Sequence, residues 1–294
     1  MLTDRAPLAK APLAEGRRRY QTSPLLGGIE LLTADYRRHV FPPHAQDTVV
    51  LGLVARGRIE VLSHGRSMSV TEGNVLFIPA GVVHEAHATS DAPWTYRALY
   101  LTPAQWKDVC ATAGLPTVGR TACVLRDDVI HRSLDALHDR LSQSLETEHS
   151  CLAHLGALAM EVGAQEELER DASSATVACE LVRVRQALDA DLGRRISLSD
   201  MARLAGLSRF HFLRAFARAY GVTPYAYSIN RRVMMARRLL IEGRPISMAA
   251  LEAGFADQAH LTRVFLRTIG VTPGEFRRAF RLPAPRQNRR SAFS

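Results

Sequence analysis

The last third of the chain repeats itself, and a duplicated unit of about 48 residues constrains the fold more than any other feature. Leu198-Ser199 through Ala205-Gly206-Leu207, then Arg214-Ala-Phe216-Ala-Arg218 and Gly221-Val-Thr-Pro224, recur as Ile246-Ser247 through Ala253-Gly254-Phe255, then Arg263-Val-Phe265-Leu-Arg267 and Gly270-Val-Thr-Pro273. The offset is 48 before the central turn and 49 after it, so one residue is inserted beyond Gly254. Each copy predicts a helix, a tight turn and a second helix. Ser199 and Ser247 are placed to cap the first helices, with Ser197-x-x-Asp200 as an additional capping box. Gly206 and Gly254 supply the left-handed turn, and Ser208 or Asp257 caps the helix that follows.

In those second helices Phe212, Ala215, Phe216 and Ala219, and then Leu261, Val264, Phe265 and Thr268, fall on one side at helical periodicity and should face a core. The opposite side holds Phe210, Arg214 and Ala217 with Leu213 on its flank, and Ala259, Arg263 and Leu266 with Gln258 and Thr262 nearby. A helix fits the major groove, where Arg bridges O6 and N7 of guanine and Gln bridges N6 and N7 of adenine. Arg214, Arg263 and Gln258 therefore have the best base-reading chemistry. Between the copies, residues 224–242 predict one helix, with Pro224 in its first turn and Gly243 after its end. Ile229, Val233, Ala236 and Leu240 form its apolar stripe. Arg231, Arg232, Arg237 and Arg238 lie largely elsewhere and, with Ser208, are the candidate phosphate contacts; a solvated charged face is the other reading of the four arginines. A rigid connecting helix would set the two reading helices in successive groove segments, ~34 Å apart.

Charge follows the same division. Residues 1–170 carry 17 Lys+Arg against 20 Asp+Glu, a net −3, whereas residues 171–294 carry 21 against 9, a net +12. All the cations of the second part are arginines, the fork-shaped side chain that suits phosphates and guanine edges. At 294 residues the chain is long enough for two domains. No uncharged apolar run approaches the roughly 20 residues of a membrane span. The first twenty residues lack a continuous hydrophobic stretch, so no secretory signal is expected and the expected location is cytoplasmic. Cys110, Cys123, Cys151 and Cys179 have no CxxC spacing and are expected to be structural thiols.

From about residue 180 to 280 the chain resembles the DNA-binding domain of the AraC/XylS family of bacterial transcription regulators. The residues that carry the resemblance are Leu204-Ala-Gly-Leu-Ser208, Phe212-Leu-Arg-Ala-Phe216, Gly221-Val-Thr-Pro224, Ala253-Gly-Phe-Ala-Asp-Gln-Ala-His-Leu-Thr-Arg-Val-Phe265 and Gly270-Val-Thr-Pro-Gly-Glu-Phe-Arg277. The resemblance implies seven helices holding two helix-turn-helix units, with base-facing positions at Phe210, Leu213 and Arg214 in the first and at Gln258, Ala259, Thr262 and Arg263 in the second. The first unit departs from the family's more polar habit. Phe210 and Leu213 can touch a thymine methyl but cannot hydrogen-bond a base edge.

Residues 25–102 show strand character, most clearly at 48–55, 58–62, 74–78 and 94–101, between glycine-containing turns. An antiparallel barrel closes such strands. Gly73-x5-Pro79-x-Gly81-xx-His84 matches the second cupin motif, and the segment resembles the effector-binding cupin domain that often precedes this type of DNA-binding domain. An enzymatic cupin would supply a His-x-His pair and a carboxylate to a metal, whereas this chain has His44-Ala-Gln46. The expectation is a pocket for a small polar or anionic effector, lined by His44, His84, Trp94 and Tyr96, with no catalysis, metal or cofactor.

After the barrel, residues 127–145 and 148–168 read as amphipathic helices, which in related regulators commonly mediate dimer contacts; packing on the barrel is the other reading. The expected organisation is two-domain. It comprises a flexible segment at 1–24, a cupin-like β-barrel domain followed by helices at 25–165, a linker at 166–178, an all-α domain with two helix-turn-helix motifs at 179–282, and a flexible basic tail at 283–294. The function implied is a ligand-responsive regulator whose partners are promoter DNA, a small-molecule effector, a second copy of the chain and RNA polymerase. A constitutive DNA binder without ligand and a metal-dependent cupin enzyme fused to a DNA-binding domain stay open on sequence alone.

Overall fold

The computed structural model describes residues 16–37, 39–169, 179–190 and 196–280. Residues 1–15 of the expected flexible start, 170–178 of the expected linker and the basic tail at 283–294 lie outside the described residues. Ten strands precede or interleave with the first helices: β1 Arg18–Ser23, β2 Ile29–Tyr36, β3 Val40–His44, β4 Val49–Arg56, β5 Arg58–Ser63, β6 Arg66–Thr71, β7 Val75–Ile78, β8 His84–Ala88, β9 Trp94–Leu101 and β10 Cys123–Leu125. They form two antiparallel sheets, ordered β1-β2-β9-β4-β7-β10 and β3-β8-β5-β6, which face each other as a flattened barrel.

The six-stranded sheet is buried on both faces. Its inner face sends Leu32, Val50, Trp94 and Tyr96 toward the four-stranded sheet. Its outer face sends Ile29, Leu31, Leu51, Phe77 and Leu99 against α1 Pro103–Thr112, α2 Asp128–Ser142 and α3 Glu148–Glu169. That is why β4 reads Val-Val-Leu-Gly-Leu-Val without polar alternation: water meets neither face of it. Gly52 is required there, because a Cβ would lie 2.5 Å from the Tyr96 hydroxyl. The helical layer is fixed by ion pairs from Arg97 on β9 to Asp135 and Asp139 on α2.

The C-terminal part contains seven described helices: α4 Cys179–Ala190, α5 Leu198–Leu204, α6 Arg209–Tyr220, α7 Pro224–Ile241, α8 Ile246–Glu252, α9 Gln258–Ile269 and α10 Pro273–Ala279. Helices α4, α5 and α6 share one core around Phe212 and Phe216. Val233, Ala236 and Leu240 of α7 bury the expected stripe in the second unit, around Phe265 and Phe276. Pro224 and Pro273 begin helices capped by Thr223 and Thr272, so the repeated Gly-Val-Thr-Pro is one capping device used twice.

Three local expectations differ from the structure. Arg18–Ser23 is an ordered edge strand, paired along its length with β2, rather than part of a flexible start. Residues 166–169 continue α3 instead of opening the linker. The capping serine of α5 is Ser197, whose side chain accepts from the Asp200 N–H, and α8 begins at Pro245 without a side-chain cap; Ser199 and Ser247 lie inside their helices. No described helix is long and apolar enough to cross a membrane.

The second helix-turn-helix unit is docked on the barrel. Tyr20 packs on Phe276 with ring centroids 5.0 Å apart, and the Tyr36 hydroxyl donates to the Gly270 carbonyl at 3.1 Å. Thr22 donates to the Ala279 carbonyl and the Asn230 amide to the Ala45 carbonyl. Barrel interior and second unit therefore belong to one continuous apolar cluster, whereas the first unit has its own.

Candidate DNA-reading helices and barrel cavity

The two turns have the geometry their glycines predict: Gly206 has φ 65° and Gly254 φ 78°, both left-handed. Ser208 accepts from the His211 N–H and Asp257 from the His260 N–H, which fixes the first turns of α6 and α9. On α6, Phe210 is 65% exposed and Arg214 is exposed beside it. The Arg214 guanidinium lies 5.5 Å from the centre of the Phe210 ring, a cation–π contact that Phe210 alone would not announce. Leu213 is half-buried. On α9, Gln258, Ala259 and Arg263 are exposed and Thr262 is half-buried, its hydroxyl donating to the Gln258 carbonyl at 2.8 Å. Leu266, counted with the groove-facing side from periodicity, is instead buried in the core.

The four arginines of α7 have separate fates. Arg232, 7% exposed, donates to the Gly254 carbonyl at 3.0 Å and so ties down the turn of the second unit. Arg237 is buried against the barrel, paired with Glu30 and with Asp47 at 3.0 Å, and lies over the Phe276 ring. Neither can reach a phosphate while so held, which corrects the expectation for both. Arg231 is paired with Asp189 at 2.8 Å and is half-buried. Arg238 keeps 66% of its side chain exposed, with Glu242 at 3.7 Å and the Met235 sulfur at 3.1 Å beside it. The Ser208 hydroxyl accepts the capping bond from the His211 N–H and lies 3.1 Å from His211 Nδ1.

Sequence reasoning missed the docking residues Tyr20, Glu30, Tyr36, Asp47 and Asn230. One signal was present: at ~100° per residue Arg237 falls only about 40° from Val233, inside the apolar stripe of α7. An arginine there needs a buried partner, and Glu30, set among apolar residues at the start of β2, is that partner.

In the barrel, β3, β8 and β9 bring His44, His84, Trp94 and Tyr96 around one cavity, with Phe41 and Gln46 among the other lining residues. The cavity is small, about 30 Å³. The His44 and His84 rings are 4.3 Å apart. Burial pushes the imidazolium form of both down, His84 to about 4, and the nearness of His84 adds to the shift of His44. A larger cleft of about 400 Å³ lies between barrel and helices, where His44 and Gln46 meet Arg185, Tyr220, Asn230 and Arg231. Among the described residues no group of three or more His, Cys, Asp and Glu is placed to hold a metal.

With these features in place, comparison with known proteins identifies the two parts separately. Residues 26–161 match the family model of the AraC-like ligand binding domain, and residues 201–279 match a helix-turn-helix domain model. The chain is 28% identical over 236 residues to the HTH-type transcriptional regulator YbfI of Bacillus subtilis, covering 75% of this chain and 81% of that protein. It is 25% identical over 237 residues to the arabinose operon regulatory protein of Escherichia coli, covering 78% and 80%. In fold it is similar to the unsaturated fatty acid bound ToxT of Vibrio cholerae, with a TM-score of 0.54 at 14% identity, over 85% of this chain and 94% of that one. The chain thus belongs to the AraC-type transcription regulators, with a ligand-binding barrel joined to a DNA-binding pair of helix-turn-helix units.

Proposed function

We propose that α6 and α9 read successive major-groove segments of a promoter, with Arg214, Gln258 and Arg263 hydrogen-bonding base edges and Phe210, Leu213, Ala259 and Thr262 in apolar or close contact with them. Arg238 and, once free of Asp189, Arg231 serve the phosphates. The effector enters the barrel among His44, His84, Trp94 and Tyr96, and no catalytic step is assigned to it. A homodimer on the promoter completes the reading, supported by Met160 on α3 and Val129 on α2, both large and exposed.

The observation that carries the coupling is the double role of β3. Phe41 and His44 of this strand line the cavity, and the same strand packs on α7 and α9. Its register shifts between Phe41 and His44, so it is an irregular wall of the barrel. An effector that widens the cavity moves the strand on which the second reading unit rests. By linkage, DNA and effector then alter each other's affinity by the same factor.

The test begins with DNA selected by the full chain from sheared genomic fragments, followed by anisotropy titration against random DNA. Arg263→Ala is expected to weaken the selected site by about 1–3 kcal/mol and relax preference at one base position. An equal loss on random DNA would reassign Arg263 to a phosphate. The small cavity favours one rival, a filled barrel on a constitutive DNA binder. A thermal-shift screen separates the two, since only a sensing barrel is stabilised by a metabolite.

A further inference from the structure

The polar atoms of the barrel cavity are arranged with a definite sense. His44 Nδ1 lies 2.7 Å from the Pro42 carbonyl and His84 Nδ1 lies 3.0 Å from the Val82 carbonyl. A carbonyl only accepts, so in both rings Nδ1 carries the proton and donates it to the residue two places earlier. Two rings 4.3 Å apart in a buried space are then both neutral, and each turns an Nε2 lone pair away from its own strand. His84 Nε2 has no hydrogen-bond partner among the described residues, and His44 Nε2 meets only the Gln46 amide at 3.5 Å. Trp94 supplies the opposite function. It is 1% exposed, and its indole N–H, a donor only, has no hydrogen-bond partner among the described residues. No Arg, Lys, Asp or Glu lines the cavity.

We propose, resting on the reading of the barrel as the effector site, that the cavity takes an uncharged molecule that donates to the two Nε2 lone pairs and accepts from the Trp94 indole N–H, as a primary amide does with its two N–H groups and one carbonyl. The anionic effector admitted by the sequence is disfavoured by the same geometry. A carboxylate would be stripped of water, face two lone pairs, and meet no cation. Recruiting one from the histidines would mean protonating a ring whose charged form burial opposes. A primary amide satisfies the His84 lone pair and the Trp94 N–H, which are otherwise unmatched, and offers His44 Nε2 a donor besides the Gln46 amide at 3.5 Å; buried groups left unpaired are where hydrogen bonds discriminate most strongly.

The probes are isosteric pairs, acetamide with acetate and isobutyramide with isobutyrate, each larger than the cavity of about 30 Å³, so that binding requires it to widen. They are titrated into the full chain labelled with 15N at its two tryptophans. Trp106 is the internal control, because its indole N–H already donates to the Val118 carbonyl at 2.9 Å. Trp94→Phe assigns the signals, or Trp106→Phe if the first variant does not fold. The expected result is that the amides move the Trp94 indole signal and leave that of Trp106, and that each carboxylate binds at least tenfold more weakly. His84→Gln, which replaces a lone pair with an amide group, is expected to weaken the amides severalfold. Carboxylates that move the Trp94 signal as effectively as their amides would overturn the ligand class while keeping the barrel as the site. If no member of either pair moves it, the barrel as effector site falls, and the proposal with it.

Discussion

Arg237 and Arg238 are adjacent on α7, yet one side chain is enclosed by the barrel and the other by water. Rotation by ~100° between neighbours on a helix is enough to do this. Arg237 gains Glu30, Asp47 and the Phe276 ring in return for its lost hydration. Removing it leaves the Glu30 carboxylate buried with only the Tyr20 hydroxyl, 2.5 Å away, as a donor. Arg237→Ala is accordingly expected to cost about 3–5 kcal/mol in urea unfolding, whereas the paired replacement Arg237→Met with Glu30→Gln should recover much of that loss. A loss below about 1 kcal/mol for the single variant would mean that the pair is open to water in solution. Arg238→Ala belongs to the other class. It should leave stability unchanged, weaken specific and random DNA alike, and reduce the salt slope by about 1. An unchanged slope removes Arg238 from the interface.

At the scale of elements, the repeat provides its own control. Gly221 and Gly270 end α6 and α9 with the same left-handed cap, at φ 72° and φ 87°. A Cβ on Gly221 would meet Val83 at an ordinary 3.4 Å, but one on Gly270 would lie 2.4 Å from the Tyr36 hydroxyl. Gly221→Ala should therefore cost only the left-handed strain, about 1–2 kcal/mol. Gly270→Ala should cost more and loosen the second unit from the barrel, visible as faster hydrogen exchange in α9 and β3. Equal costs would show that the docking seen here is not tight in solution. The repeat, the turn glycines and, Leu266 apart, the exposed faces of α6 and α9 were legible because they depend on local periodicity and caps. The strands were only half legible. Those of the six-stranded sheet are apolar on both faces, so β4 and β9 announce strands without announcing which face meets which partner. Strands β1, β3 and β8 carry Arg18, Pro42, Pro43 and His84, which no alternation rule marks as strand, and tertiary pairing alone forms them. Docking was illegible for a further reason. Glu30 and Arg237 are far apart in the chain, and a single sequence does not pair them.

For the whole molecule, joining the barrel and the second reading unit into one core gives stability a particular dependence on pH. His39 and His44 lie at the edge of that junction, His84 in the cavity, and His138 between the six-stranded sheet and α2. All four are buried, and burial is the main reason that their protonated forms are disfavoured; Arg18 beside His39 and Arg97 beside His138 add to it. The folded values of His39, His84 and His138 are each lowered from 6.5 to about 4. The unfolded chain therefore binds more protons than the folded one between these limits. Stability is complete above pH 6.5 and falls as pH drops toward 4. Each histidine contributes on the order of 1–2 kcal/mol to that loss by pH 5. His138 allows the share of one group to be isolated, since its Nε2 donates to the Leu32 carbonyl at 3.1 Å and a glutamine amide can do the same without titrating. Urea midpoints of the parent chain should fall steadily from pH 7.5 to pH 5, and His138→Gln should flatten the curve by one histidine's share. A midpoint independent of pH over this range would mean that the histidines reach water in the folded chain, and that the barrel and its docked unit open far more readily than their shared core implies.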